Sequence, residues 1–182
     1  MKKKYSALFL LAVLAGIAAA CARDDYSARR ALSANQYAQT KVYYSLDGQA
    51  DKAIVAAIQN ARTYVYFAVY TLTKENIANA LIAAKIRGLD VRGILDANQI
   101  TLDQEKPWIK KFRMYGIEIK TPLKQDGLMH LKMLVTDRQY ASGSFNWTVS
   151  AAIYNDDVVE IGEVTGIHDQ YLAIFKKLFA KY

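Results

Sequence analysis

One cysteine, Cys21, stands in 182 residues, so no disulfide can close within the chain. Histidine is almost as scarce: His130 and His168 are the only two. No Asp, Glu and His residues cluster at metal-ligand spacing, so nothing in the sequence calls for a metal or cofactor. No internal repeat is present. The apolar run from Ala7 to Ala20 is shorter than the ~17–25 residues of a membrane-spanning helix. Acidic character is lacking too. The net charge is +7, which suits a polyanion or anionic lipid headgroups and does not choose between them.

The amino terminus has the pattern of a secretory signal over residues 1–21. Lys2, Lys3 and Lys4 precede the apolar run, which ends in small residues. Ala18-Ala19-Ala20-Cys21 resembles a bacterial lipoprotein box. Lipid attachment at Cys21 and ordinary cleavage at Ala20 or after Ala22 both remain open. Either outcome exports the protein, to the periplasm, to the outer membrane as a lipoprotein, or out of the cell. Removing the three leader lysines lowers the charge from +7 to +4. Residues 22–39 are polar and Ala-rich and read as a tether. Residues 40–182 are enough for one domain with a sizeable core.

Within that domain, Thr40 to Ser45 is expected as a strand, and Asp47 to about Ala61 as a helix. Thr63 to Tyr70 is a β-branched and aromatic run suited to a central strand buried on both faces. Thr73 is the expected N-cap of a helix through Arg87, with Gly88 in the C′ position. Leu89 to Leu95 is the next strand, closed by Asp96. Asp103 to Tyr115 is a helix with a basic outer face, and Ile117 to Thr121 a further strand. The alternation of strands and helices predicts an α/β fold, a layered α/β/α sandwich around a mixed, largely parallel sheet. Ligands in open sheets bind beyond the strand carboxyl ends, which makes Tyr70, Thr71 and Asp96 supporting residues of a site.

The chemistry concentrates in Met129 to Trp147. Alternation predicts a strand carrying His130, Lys132, Leu134 and Thr136 on one face. An imidazole and an ammonium two positions apart, roughly 6.6 Å, can reach one phosphate. Asp137-Arg138-Gln139 is expected to turn, and a return strand brings Gly143, Ser144 and Asn146 beside the histidine. A group titrating near neutrality, a fixed cation, a carboxylate, a hydroxyl and an amide suit phosphoryl transfer without a metal.

His130, Lys132 and Asp137, followed by Gly143, Ser144 and Asn146, resemble the H-x-K-x4-D and G-S-x-N pattern of the phospholipase D superfamily. The family usually has six residues between its Asp and Gly; here there are five, Arg138 to Ser142. Ile54 to Asp96 looks like the first half of a small nuclease of this superfamily. The resemblance implies His130, Lys132, Asp137, Ser144 and Asn146 as site residues, on a phospholipase D-like fold. In such nucleases an N-x-E-N segment follows, whose Glu orients the histidine. Asn155-Asp156-Asp157-Val158 stands there, with Asp157 at the Glu position and Asp156 and Glu160 as alternatives. Lys120 and Lys124 border the site and are candidates for flanking phosphates. His168, in a closing amphipathic helix with Ile167, Tyr171, Ile174, Phe175 and Leu178, is expected to be structural.

Cleavage through a phosphohistidine needs two imidazoles, one to attack and one to protonate the leaving oxygen. With a single copy of the pattern, the second must come from a second subunit. A homodimer sharing one site, active in EDTA, is the expectation. Three substrate readings follow: a nonspecific nuclease acting on DNA or RNA, a lipid phosphodiesterase on a membrane, or a nucleic-acid-binding protein without activity.

Overall fold

β-Branched and aromatic residues dominate the segments that pair into one seven-stranded sheet. In the computed structural model, residues 40–122, 127–163 and 165–182 are described. The expected leader, the tether, Cys21 and Lys124 lie outside them. The strands are β1 (Thr40–Tyr44), β2 (Tyr64–Val69), β3 (Asp90–Leu95), β4 (Glu118–Lys120), β5 (Lys132–Thr136), β6 (Gln139–Gly143) and β7 (Val158–Glu163). Their spatial order is β1-β7-β6-β5-β2-β3-β4. The helices are α1 (Ala50–Asn60), α2 (Glu75–Ile86), α3 (Lys106–Met114), α4 (Val149–Ile153) and α5 (Gly166–Lys181).

The layered α/β architecture and the mixed sheet are as the sequence predicts, but the sheet is parallel only from β2 to β4. Helices α2 and α3 make those two crossovers, and a parallel pair requires such a long connection. The other pairings, β2–β5, β5–β6, β6–β7 and β1–β7, are antiparallel. After β5 the chain turns back within two residues, Asp137 and Arg138, which only an antiparallel hairpin permits. The sheet is mixed as expected but not largely parallel: two of its six pairings are parallel.

The central strand β2 explains both layers. Val65, Phe67 and Val69 point to one face, where they meet Ile54 and Ile58 of α1, Leu81 of α2 and Phe112 of α3. Ala68 points to the other face, where Met133, Val135 and Ile94 pack under Phe175 and Phe179 of α5. Each buried aromatic of this kind contributes roughly 1.5–3 kcal/mol relative to exposure.

Several boundaries shift from expectation for local reasons. Ser45–Asp47 is a 3₁₀ turn closed by Gly48 at φ 66°, a left-handed conformation natural to glycine, so α1 starts only at Ala50. Lys74, not Thr73, is the N-cap position of α2, without a side-chain cap bond. Helix α3 begins at Lys106 because Pro107 suits a first turn. In α5 the inward residues are His168, Phe175 and Phe179, while Ile167 and Ile174 stay exposed. His168 is buried and donates from Nε2 to the Thr136 carbonyl at 2.7 Å. It is a core residue, as expected.

Candidate functional site

The site is assembled where β2 and β3 end and β5 begins. Tyr70, just past β2, donates its N–H to the Leu131 carbonyl at 2.8 Å and so extends the β2–β5 pairing to the residue beside His130. His130 precedes β5 instead of lying in it, and its side chain is exposed. Its imidazole rests against the Tyr70 ring, with centroids 4.7 Å apart and planes at 57°. Lys132, the first residue of β5, is buried; its Nζ donates to the His130 carbonyl at 2.8 Å and lies 5.2 Å from the Tyr70 ring centroid. Burial holds this ammonium below its ordinary pKa, while the Asp157 carboxylate pulls the other way.

The return strand delivers the rest. Gly143 approaches β7 so closely that a Cβ there would lie 2.1 Å from the Val158 carbonyl oxygen. That contact lets Ser144 dock on β7: its N–H donates to the Val158 carbonyl at 3.0 Å, and its Oγ accepts the Val158 N–H at 3.2 Å. Asn146 follows in a loop tied to the end of β2, since Trp147 donates its N–H to the Thr71 carbonyl at 3.1 Å and bridges Leu72. The buried Asn146 Oδ1 has no hydrogen-bond partner among the described residues. A buried amide end left open in this way suits a ligand.

Among the three carboxylates proposed to orient the histidine, two are engaged elsewhere. Asp156 accepts the Tyr44 hydroxyl, and Glu160 accepts the Tyr140 hydroxyl at 2.8 Å. Asp157 is half-buried, and its charge is the one that acts on Lys132. Asp137 is not at the site. It sits in the β5–β6 turn, at the far end of β5, and accepts the backbone N–H groups of Arg62 at 2.9 Å and Thr63 at 3.3 Å. Seven residues of extended chain separate it from His130, roughly 23 Å, so its work is to hold the α1–β2 connection. Lys120 is committed as well, donating to the Phe179 carbonyl at 2.6 Å at the end of α5.

Asp96, wholly buried, accepts the N–H groups of Asn98, Gln99 and Met129. Gln99 in turn bonds the hydroxyls of Tyr70 and Thr71, each at 3.0 Å. Gln99 and the buried Glu105, which accepts the Leu72 N–H at 2.7 Å, were not evident from sequence. Their partners are backbone and hydroxyl groups distant along the chain, and the one available signal was a polar stretch following a β-strand.

A mixed α/β sheet that presents a histidine, a buried lysine, a serine and an asparagine at one strand end defines a phosphate-handling class of site. The comparisons agree. The family model for the "cardiolipin synthase, PLD-like domain" matches residues 54–179. The chain belongs to the phospholipase D superfamily. It is 31% identical over 122 residues to a phospholipase D of Rickettsia prowazekii, covering 66% of this chain and 58% of that protein. It is 27% identical over 121 residues to a mitochondrial cardiolipin hydrolase of Danio rerio, covering 66% and 52%. The chain thus spans a little over half the length of these relatives. In structure it resembles Nuc of Salmonella typhimurium, a phospholipase D family member, with a TM-score of 0.71 and 28% identity over 76% of this chain and 91% of that one.

Proposed function

We propose that this chain is an exported, metal-independent phosphodiesterase that hydrolyses DNA or RNA with little sequence preference, through a phosphohistidine on His130. The observation that carries the reading is the placement of an exposed imidazole and a buried ammonium on the same tyrosine ring, 4.7 and 5.2 Å from its centroid. The neutral His130 attacks phosphorus, and the bond to the leaving oxygen breaks. His130 of the partner subunit, protonated, gives that oxygen its proton. Water then loses a proton to the same imidazole and displaces phosphate from the first, restoring both. Lys132 and Asn146 hold the non-bridging oxygens, replacing a divalent ion as the charge-stabilising element. Ser144 keeps β7 and Asp157 against the site, where the Asp157 carboxylate favours the charged form of Lys132.

Two features support a homodimer. The mechanism needs a second imidazole, and His168 is bonded in the core. Apolar side chains also surround the Asp157 side of the site: Tyr44, Leu46, Ile153, Tyr154 and Val158 are all exposed, Tyr154 at 76%. Clusters of this kind mark interaction surfaces. A two-fold axis there brings the two His130 side chains to one phosphate.

The names of the relatives, phospholipase D and cardiolipin hydrolase, favour a second reading, a lipid phosphodiesterase held at a membrane through Cys21. The basic charge and the resemblance to small nucleases favour nucleic acid. Incubation of the purified protein in EDTA with plasmid DNA, with phosphatidylcholine vesicles and with cardiolipin vesicles separates them. Plasmid nicking that disappears in His130→Ala is the expected result. Headgroup or phosphatidate release without nicking overturns the nuclease reading, and DNA binding without cleavage of any substrate overturns the enzymatic one.

A further inference from the structure

We propose that Tyr70 is the positioning residue of this site, the wall that sets the His130 imidazole and the Lys132 ammonium at a fixed separation, with Gln99 and Asp96 as its anchors. The inference rests on the phosphodiesterase reading for the roles of His130 and Lys132, and on geometry for everything else.

The His130 ring has no hydrogen-bond partner among the described residues of its own subunit; the group it rests on is the Tyr70 ring. A surface imidazole without such a wall samples several χ1 and χ2 states. The Tyr70 ring cannot move freely, because it is fixed at both ends. Its backbone N–H is paired to Leu131, and its hydroxyl is bonded to the Gln99 side-chain amide at 3.0 Å. That amide also meets the Thr71 hydroxyl at 3.0 Å. Both hydroxyls remain bonded whichever way the amide faces, since each can donate or accept.

Asp96 closes the circuit. One carboxylate oxygen accepts the Asn98 and Gln99 N–H groups at 2.9 and 3.3 Å. The other accepts the N–H of Met129, the residue before His130, at 3.1 Å. A single buried carboxylate thus fixes the backbone leading into the histidine and, through Gln99 and Tyr70, the face its ring leans on. Lys132 stands over the same ring, so one phenol spaces both groups. Misplacement of a reacting group by about 1 Å costs on the order of 10²-fold in rate, and that sensitivity gives the circuit its function.

The test uses the full chain carrying Tyr70→Leu, Tyr70→Phe or Gln99→Ala, read by ¹⁵N–¹H spectra of the histidine rings and by steady-state kinetics in EDTA. With two histidines in the chain, the ring signals lost in His130→Ala identify His130. Tyr70→Leu is expected to lower kcat by roughly 10²-fold with KM changed far less, and to shift the His130 ring signals toward those of a rotamer-averaged, fully solvated imidazole. Gln99→Ala and Tyr70→Phe, which each keep the ring and remove the same hydroxyl bond, should both fall between it and the wild type. A folded Tyr70→Leu protein with wild-type His130 ring signals overturns the proposal. Should Tyr70→Leu not fold, Gln99→Ala decides it: a His130 ring spectrum identical to wild type overturns it. A chain that cleaves no phosphodiester refutes the functional reading, yet the ring spectra still decide the positioning role.

Discussion

Lys132 is placed against the protein's own stability. Its side chain is almost wholly buried, its ammonium donates to one carbonyl, and burial depresses its pKa. A buried ammonium without a close carboxylate costs stability, and an apolar side chain of similar length removes that cost. Lys132→Met is therefore expected to abolish cleavage while raising stability by about 1 kcal/mol, a rise of roughly 2–4 °C in Tm. Calorimetry beside the EDTA assay checks both halves. A fall in Tm means that the Tyr70 and Asp157 contacts outweigh desolvation. At this scale the sequence was legible in bringing His130 and Lys132, two positions apart, to one tyrosine ring, although His130 stands before β5 and not in it. It misled at Asp137, where the pattern match groups with His130 a side chain that the intervening strand carries to the opposite end of β5. Asp96 was legible from its place at the end of β3, whereas Gln99 bonds two hydroxyls distant along the chain, a pairing that residue identity does not reveal.

Among the elements, the strand–helix succession from β2 to β4 was legible because parallel pairing demands a helix-length crossover. Of the four antiparallel pairings only β5–β6 closes through a short turn; the others join strands distant in sequence or across a helix, and such strands look alike in either pairing. The start of α3 holds a less visible device. Glu105 is wholly buried, one oxygen takes the Leu72 N–H, and the other has no partner among the described residues. Burial, reinforced by the Asp96 charge, pushes its pKa from about 4.5 up to about 7. The folded protein thus holds this proton more tightly than the unfolded chain. Stability is fullest below the unfolded value and falls as pH rises from about 4.5 through about 7, by on the order of 3 kcal/mol at most. Denaturant unfolding at pH 5 and pH 8 should show the loss, and Glu105→Gln should flatten it while keeping the acceptor for Leu72. A variant with the same slope as wild type would assign the pH dependence to another group.

For the whole molecule, the decisive quantity is the number of imidazoles per phosphate. His168 is locked to Thr136, so one subunit offers one imidazole at the site, and the proposed chemistry needs two. Under the proposed mechanism, activity is a property of pairs. If wild-type and His130→Ala subunits are mixed in equal amounts, unfolded together and refolded, three kinds of dimer form at random. A shared site requires both histidines, so only the wild-type pair turns over, and activity drops to about a quarter of the same total amount of wild type. Independent sites would instead leave about a half. The proposed dimer surface has its own test. Tyr154→Glu introduces a charge into the exposed apolar patch, and it should shift the protein to monomer by analytical ultracentrifugation and remove activity together. A monomeric Tyr154→Glu protein that still cleaves would show that one subunit completes the reaction alone, and the two-imidazole mechanism would have to be abandoned.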